Sequence, residues 1–155
     1  MAFWNYMETR EIDLIERQKM FDQGILADLR MSNLFDQETL NRLSSILDVG
    51  VRASSDTRGM LNRWILRSRM YRTDVFELVL SQFSGRGVNE YAYGVTYGKS
   101  FGERIVPTYE LQGISRIDFN PKSQDYVRFI QEDDTRIATL VVNQWGGVAI
   151  RSELK

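Results

Sequence analysis

The chain has 155 residues, 43% of them hydrophobic and 26% charged, enough to bury the core of one ordinary domain or two very small modules; two large domains and a disordered chain are excluded. Its formal charge is −1, so any attraction to nucleic acid or an anionic membrane has to come from a local patch. It contains no Cys and no His, which removes disulfides, thiolate chemistry, Ser–His pairs and zinc sites of the usual ligand types.

Apolar residues recur at helical intervals from about Thr9 to Arg30. Ile12, Ile15, Leu26 and Leu29 form one stripe, with Leu14, Phe21 and Ile25 beside it. Phe3, Trp4 and Tyr6 precede this helix as an aromatic cluster, either capping the helical core or docking into a neighbouring subunit. Glu8, Glu11, Asp13 and Glu16 occupy a region where a secretory signal needs an apolar run, and no stretch is apolar enough to span a membrane. Asp36 is a plausible N-cap for a second helix, which places Leu40, Leu43, Leu47 and Val51 on one face. Ser54, Ser55 and Asp56 offer a further start before Met60, Leu61, Trp64 and Ile65. Residues 1–73 therefore read as two to three helices forming a docking and oligomerisation module, whose thin core invites packing against a partner.

Arg52, Arg58, Arg63, Arg67, Arg69 and Arg72 make the one basic patch, opposed in that interval by Asp56 alone. A solvated helix face, or pairing with the acidic first helix, accounts for it; phosphate binding by the Arg-rich helix is the alternative.

Composition changes near residue 74: both prolines and most of the glycines follow it. Alternation with a period of two marks strands at Ile105–Leu111, Tyr126–Ile130 and Ile137–Val142. Asn120-Pro121-Lys122-Ser123, Glu132-Asp133-Asp134 and Trp145-Gly146-Gly147 supply turns. Gly94, Gly98 and Gly102 read as bends or bulges in a twisted sheet. Short connections imply antiparallel pairing, so residues 74–155 are expected to form an antiparallel β-sandwich and the whole chain an α+β fold. Tyr97-Gly98-Lys99-Ser100 fails as a phosphate loop, because Tyr93 stands where the leading glycine belongs. Asp118-Phe119-Asn120 fails as a calcium loop, because Ser123 and Phe129 replace the required Gly and Glu. No catalytic residue, cofactor or metal site is expected.

Residues 81–150 resemble an H-type lectin domain. The resemblance runs through Ser84-Gly85, Val95-Thr96-Tyr97 leading to Phe101, Pro107, Ile114-Ser115-Arg116-Ile117-Asp118, Ser123-Gln124, Tyr126-Val127-Arg128 and Gly147-Val148-Ala149. It implies a small antiparallel β-sandwich, threefold association and binding of N-acetylgalactosamine-type sugars between subunits. Arg128 stands where that family has an arginine near the sugar, and Arg86 lies near the place of its acidic residue. Trp145 is the third candidate carbohydrate contact, offering a flat apolar face unless it folds back over the sheet. Lectin-like sandwiches with helical extensions are similar to components of bacteriophage tails, baseplates and fibres. The resemblance thus implies a non-enzymatic structural component of a virion, assembled in the host cytoplasm as a homo-oligomer with other virion proteins as neighbours. A carbohydrate-binding adhesin is the first alternative and a nucleic-acid-binding accessory protein the second.

Overall fold

A computed structural model describes residues 2–50, 59–69, 74–85 and 88–155. Helix α1 spans Ala2–Ser32 and helix α2 spans Gln37–Gly50. Asn33 ends α1 in the left-handed region at φ 55°, a conformation that its short polar side chain tolerates. Asp36 then caps α2: its Oδ1 accepts the Thr39 backbone N–H at 2.7 Å, and Thr39, through its side chain first and its backbone N–H second, holds the carboxyl below the usual carboxylate range. Leu40, Leu43 and Leu47 are buried, as their spacing predicts. On α1 the buried row is Asp22, Ile25, Leu29 and Ser32, while Phe21 stays partly exposed. Because α1 begins at Ala2, Phe3, Trp4 and Tyr6 belong to the helix and do not form an arm ahead of it; their side chains lie outside the described residues.

The third predicted helix is a strand. Residues Gly59–Arg69 form β1, with Trp64 and Leu66 facing inward and Arg63, Ile65 and Arg67 facing outward. Met60, Leu61, Trp64 and Ile65 fit a helical period by chance. The true period of two was hidden because polar Asn62, itself exposed, and buried Ser68 stand in line with Trp64 and Leu66, and each is hydrogen-bonded. Asn62 donates to Gln82 at 3.0 Å, and Ser68 Oγ accepts the Asp36 N–H at 2.9 Å. The composition change at residue 74 therefore falls between two paired strands.

Strands β1, β2 (Asp74–Gly85), β3 (Val88–Phe101) and β4 (Arg104–Leu111) form one antiparallel sheet in that order. Strands β5 (Arg116–Phe119), β6 (Val127–Glu132), β7 (Arg136–Val142) and β8 (Val148–Leu154) form a second. The chain crosses between them at Ile114 and Ser115, whose N–H groups bond Tyr93 O of β3 and Ile130 O of β6 at 2.9 and 2.8 Å. Two helices and two four-stranded antiparallel sheets make a mixed α+β arrangement among the described residues.

One apolar cluster joins these parts, drawing on α1, α2 and both sheets. Phe76 links its parts: its ring lies 6.1 Å from Phe35 after α1, 5.2 Å from Tyr97 and 6.3 Å from Phe129 of the second sheet. Both helices pack on strands of the same chain, α1 against β3 and β5 and α2 against β1.

The four sheet edges are treated unequally. At β1, Thr39 of α2 donates its hydroxyl to Arg67 O at 3.1 Å. Strand β4 carries Pro107, which has no N–H, beside a register shift at Tyr97/Gly98. Glycine is obligatory at 98, since a Cβ would sit 2.5 Å from Val106 O. Strand β5 has four residues and lies against α1. Strand β8 has seven residues, no proline and no register shift in its pairing with β7.

Candidate functional site

The most exposed apolar features of the second sheet lie at its β8 end. Asn143 organises the turn before β8, its Oδ1 accepting the N–H groups of Trp145 and Gly147 at 2.9 and 2.7 Å, and Gly146 supplies φ +85°. Gln144 fastens the same turn to the preceding loop by donating to Pro121 O and Ser123 O at 3.3 and 2.8 Å. With the turn held from both sides, Trp145 projects and is 74% exposed. It does not fold back over the sheet. A cleft of about 260 Å³ adjoins it, lined by Gln124, Asp125, Asn143, Ala149 and Arg151 among others. Arg151 crosses this cleft to Asp125, with N–O distances of 3.0 and 3.4 Å.

Arg128 does not line that cleft. It lies on β6 and donates to Asp118 at 3.1 Å, in a network with Arg116 and Glu132 on the outward face. Its cross-strand neighbour Val141 does reach the cleft, so the structure brings Arg128 to its border and commits its charge elsewhere. Arg86 lies outside the described residues.

The described part of the basic patch lies on a strand and not on a helix. Arg63 and Arg67 sit on the outward side of β1, and Arg67 pairs with Glu77 of β2 at 3.1 Å, so its counter-charge comes from the sheet and not from α1. Arg52, Arg58 and Arg72 lie outside the described residues, as does the side chain of Arg69.

The sequence did not disclose a buried acid. Asp22 interrupts the apolar row of α1 and is 2% exposed, accepting hydrogen bonds from Tyr93 Oη and from Gln18 Nε2, the latter at 2.8 Å. Burial pushes its carboxyl up to about 6, against which both hydrogen bonds act. Tyr93 is raised well above the ordinary tyrosine range by burial and by the adjacent Asp22 charge, and Tyr91 is pushed up to about 12 by the same causes. Asp22 Oδ2 has no hydrogen-bond partner among the described residues. The carboxyl borders a cleft of about 270 Å³ between α1 and α2, with Lys19, Ser44 and Asp48. One sequence signal for this pair existed: an acid at the position where the α1 stripe needs an apolar residue.

Among the described residues, no group of three or more acidic side chains converges as a metal site, and no helix is long and apolar enough to cross a membrane. Asp133 accepts the N–H groups of Thr135 and Arg136 at 2.8 and 2.7 Å, so it serves the turn as its position predicts.

No family model, curated protein or solved structure matches the chain.

Proposed function

We propose that this protein is a non-enzymatic assembly unit that works by associating with copies of itself and with neighbouring proteins. The observation that carries this reading is β8, an edge strand among the described residues with no proline or register shift, whose Ile150 and Leu154 are 41% and 75% exposed. An edge strand with exposed apolar side chains gains hydrogen bonds and burial when another strand is added. The setting, a virion and within it a phage tail, baseplate or fibre, rests on the resemblance of residues 81–150 to H-type lectin domains. On that reading the two sheets are the layers of a lectin-like β-sandwich, for which the contact of Phe76 with Phe129 is the supporting geometry. Light scattering on the whole chain tests the proposal: a mass that stays at 18.1 kDa at every concentration removes it.

Trp145 favours a second reading, glycan binding. A projecting indole on a fixed turn, beside a cleft with amide and carboxylate groups, suits the C–H face and hydroxyls of a pyranose ring. Titration with N-acetylgalactosamine is the test. Binding that Trp145→Ala abolishes supports it, and no binding at millimolar sugar removes it.

A further inference from the structure

Resting on the reading of the protein as a self-associating unit, we infer that β8 is the contact: two copies pair antiparallel through it about a twofold axis at Ser152, joining their second sheets into one. Two hydrogen bonds set the phase of this edge. Asn143 N donates to Gly147 O, and Lys155 N donates to Thr135 O. The odd-numbered residues of this segment therefore turn their N–H and C=O groups toward β7. Alternation in an antiparallel ladder then leaves those of Val148, Ile150, Ser152 and Leu154 pointing away from the molecule. Any added strand has to bond at these even positions.

The side chains then select both the occupant and the register. Ile150-Arg151-Ser152-Glu153-Leu154 reads apolar, basic, small, acidic, apolar, so it is its own complement when reversed about Ser152. In that register Ile150 lies opposite the partner's Leu154 and Ser152 opposite the partner's Ser152. Both are outward-bonded pairs and share the side of the sheet that holds Leu140. Arg151 faces the partner's Glu153 across a non-hydrogen-bonded pair, where side chains approach most closely, and the twofold repeats each contact. Sliding by one step in either direction along the permitted registers places Arg151 against the partner's Arg151, or Glu153 against the partner's Glu153. Like charges directly opposite are unfavourable, so these registers are rejected. The ion pair of Arg151 with Asp125 leaves guanidinium N–H groups for a second carboxylate and holds the side chain on the face where the partner's Glu153 arrives.

Sedimentation equilibrium on the whole chain, from micromolar to millimolar, tests this. A reversible species of twice 18.1 kDa is expected. Ser152→Pro removes an N–H that serves no bond to β7, so it should abolish the dimer while leaving the circular dichroism spectrum and melting temperature of the monomer near those of the parent. Glu153→Arg sets Arg151 against a base and should weaken association about tenfold or more. The exchange Arg151→Glu with Glu153→Arg restores opposite charges and should recover most of that loss, although it breaks the pair with Asp125. A dimer indifferent to Glu153→Arg, or an exchange that recovers nothing, overturns the inference and leaves self-association standing. Three copies with no dimer does the same. A monomer throughout overturns both.

Discussion

The outer strands β4 and β8 end their respective sheets, yet the sequence equips them in opposite ways. Strand β4 carries a proline and a register shift, both of which hinder further pairing; β8 is regular, sets Arg151 and Glu153 between apolar ends and finishes in an exposed leucine. Strand-forming propensity does not separate the two. What separates them is whether the outward backbone groups are removed or left in place, which makes the unguarded edge informative. The first sheet is further closed by the helix that bonds to β1, so the features that protect it and those that leave the second open are local and readable.

The contrast presumes that both sheets belong to one cooperative unit, and the largest effect tests that. Phe76→Ala removes the ring that meets Phe35 between the helices, Tyr97 of the first sheet and Phe129 of the second, and should cost about 3–5 kcal/mol. Urea transitions followed by circular dichroism and by tryptophan fluorescence should still coincide; separate transitions would mean that the sheets unfold independently.

Next comes the attachment of α1 to the first sheet. Burial raises the folded-state pKa of Asp22 from 3.8 to about 6, so its contribution to stability is full below pH 3.8 and is lost as pH rises through about 6. The shift corresponds to about 3 kcal/mol. Asp22→Asn should flatten that interval when urea midpoints are compared between about pH 4 and 7, whereas an unchanged slope would assign it to other carboxyls.

The guard on β4 is a smaller matter. Gly98→Ala forces a methyl toward Val106 O and should cost about 1–3 kcal/mol by the same urea assay. Trp145→Ala is the smallest change, within about 0.5 kcal/mol, because the indole projects from a turn held by Asn143 and Gln144. A larger loss would mean that the indole takes part in packing.

The helices, the Asp36 cap, the three turns and strands β4, β6 and β7 were legible because each rests on local signals: an apolar stripe, a capping side chain, alternation, Gly or Pro in a bend. Strand β1 was not, because polar Asn62 and Ser68 stand in line with Trp64 and Leu66, and their partners Gln82 and Asp36 lie far along the chain. The Asp22 and Tyr93 pair was legible only in part: the acid breaks the apolar stripe of α1, but neither residue indicates that the other will meet it. At the candidate sites, the exposure of Trp145 depends on a loop more than twenty residues earlier, and the loss of Arg128 to Asp118 depends on cross-strand register. Local chemistry shows through a sequence; partners chosen by folding do not.

The placement of β1 ahead of the compositional boundary bears on any trimming of this chain. A fragment beginning at residue 74 would carry β2 with its former partner stripped away, so that Leu78 and Leu80 lose the neighbours Leu66 and Trp64 and a whole row of amide groups is laid bare. Such a piece should be sticky and poorly soluble for reasons unrelated to the natural contact, and clumping by it would misreport how the intact molecule assembles.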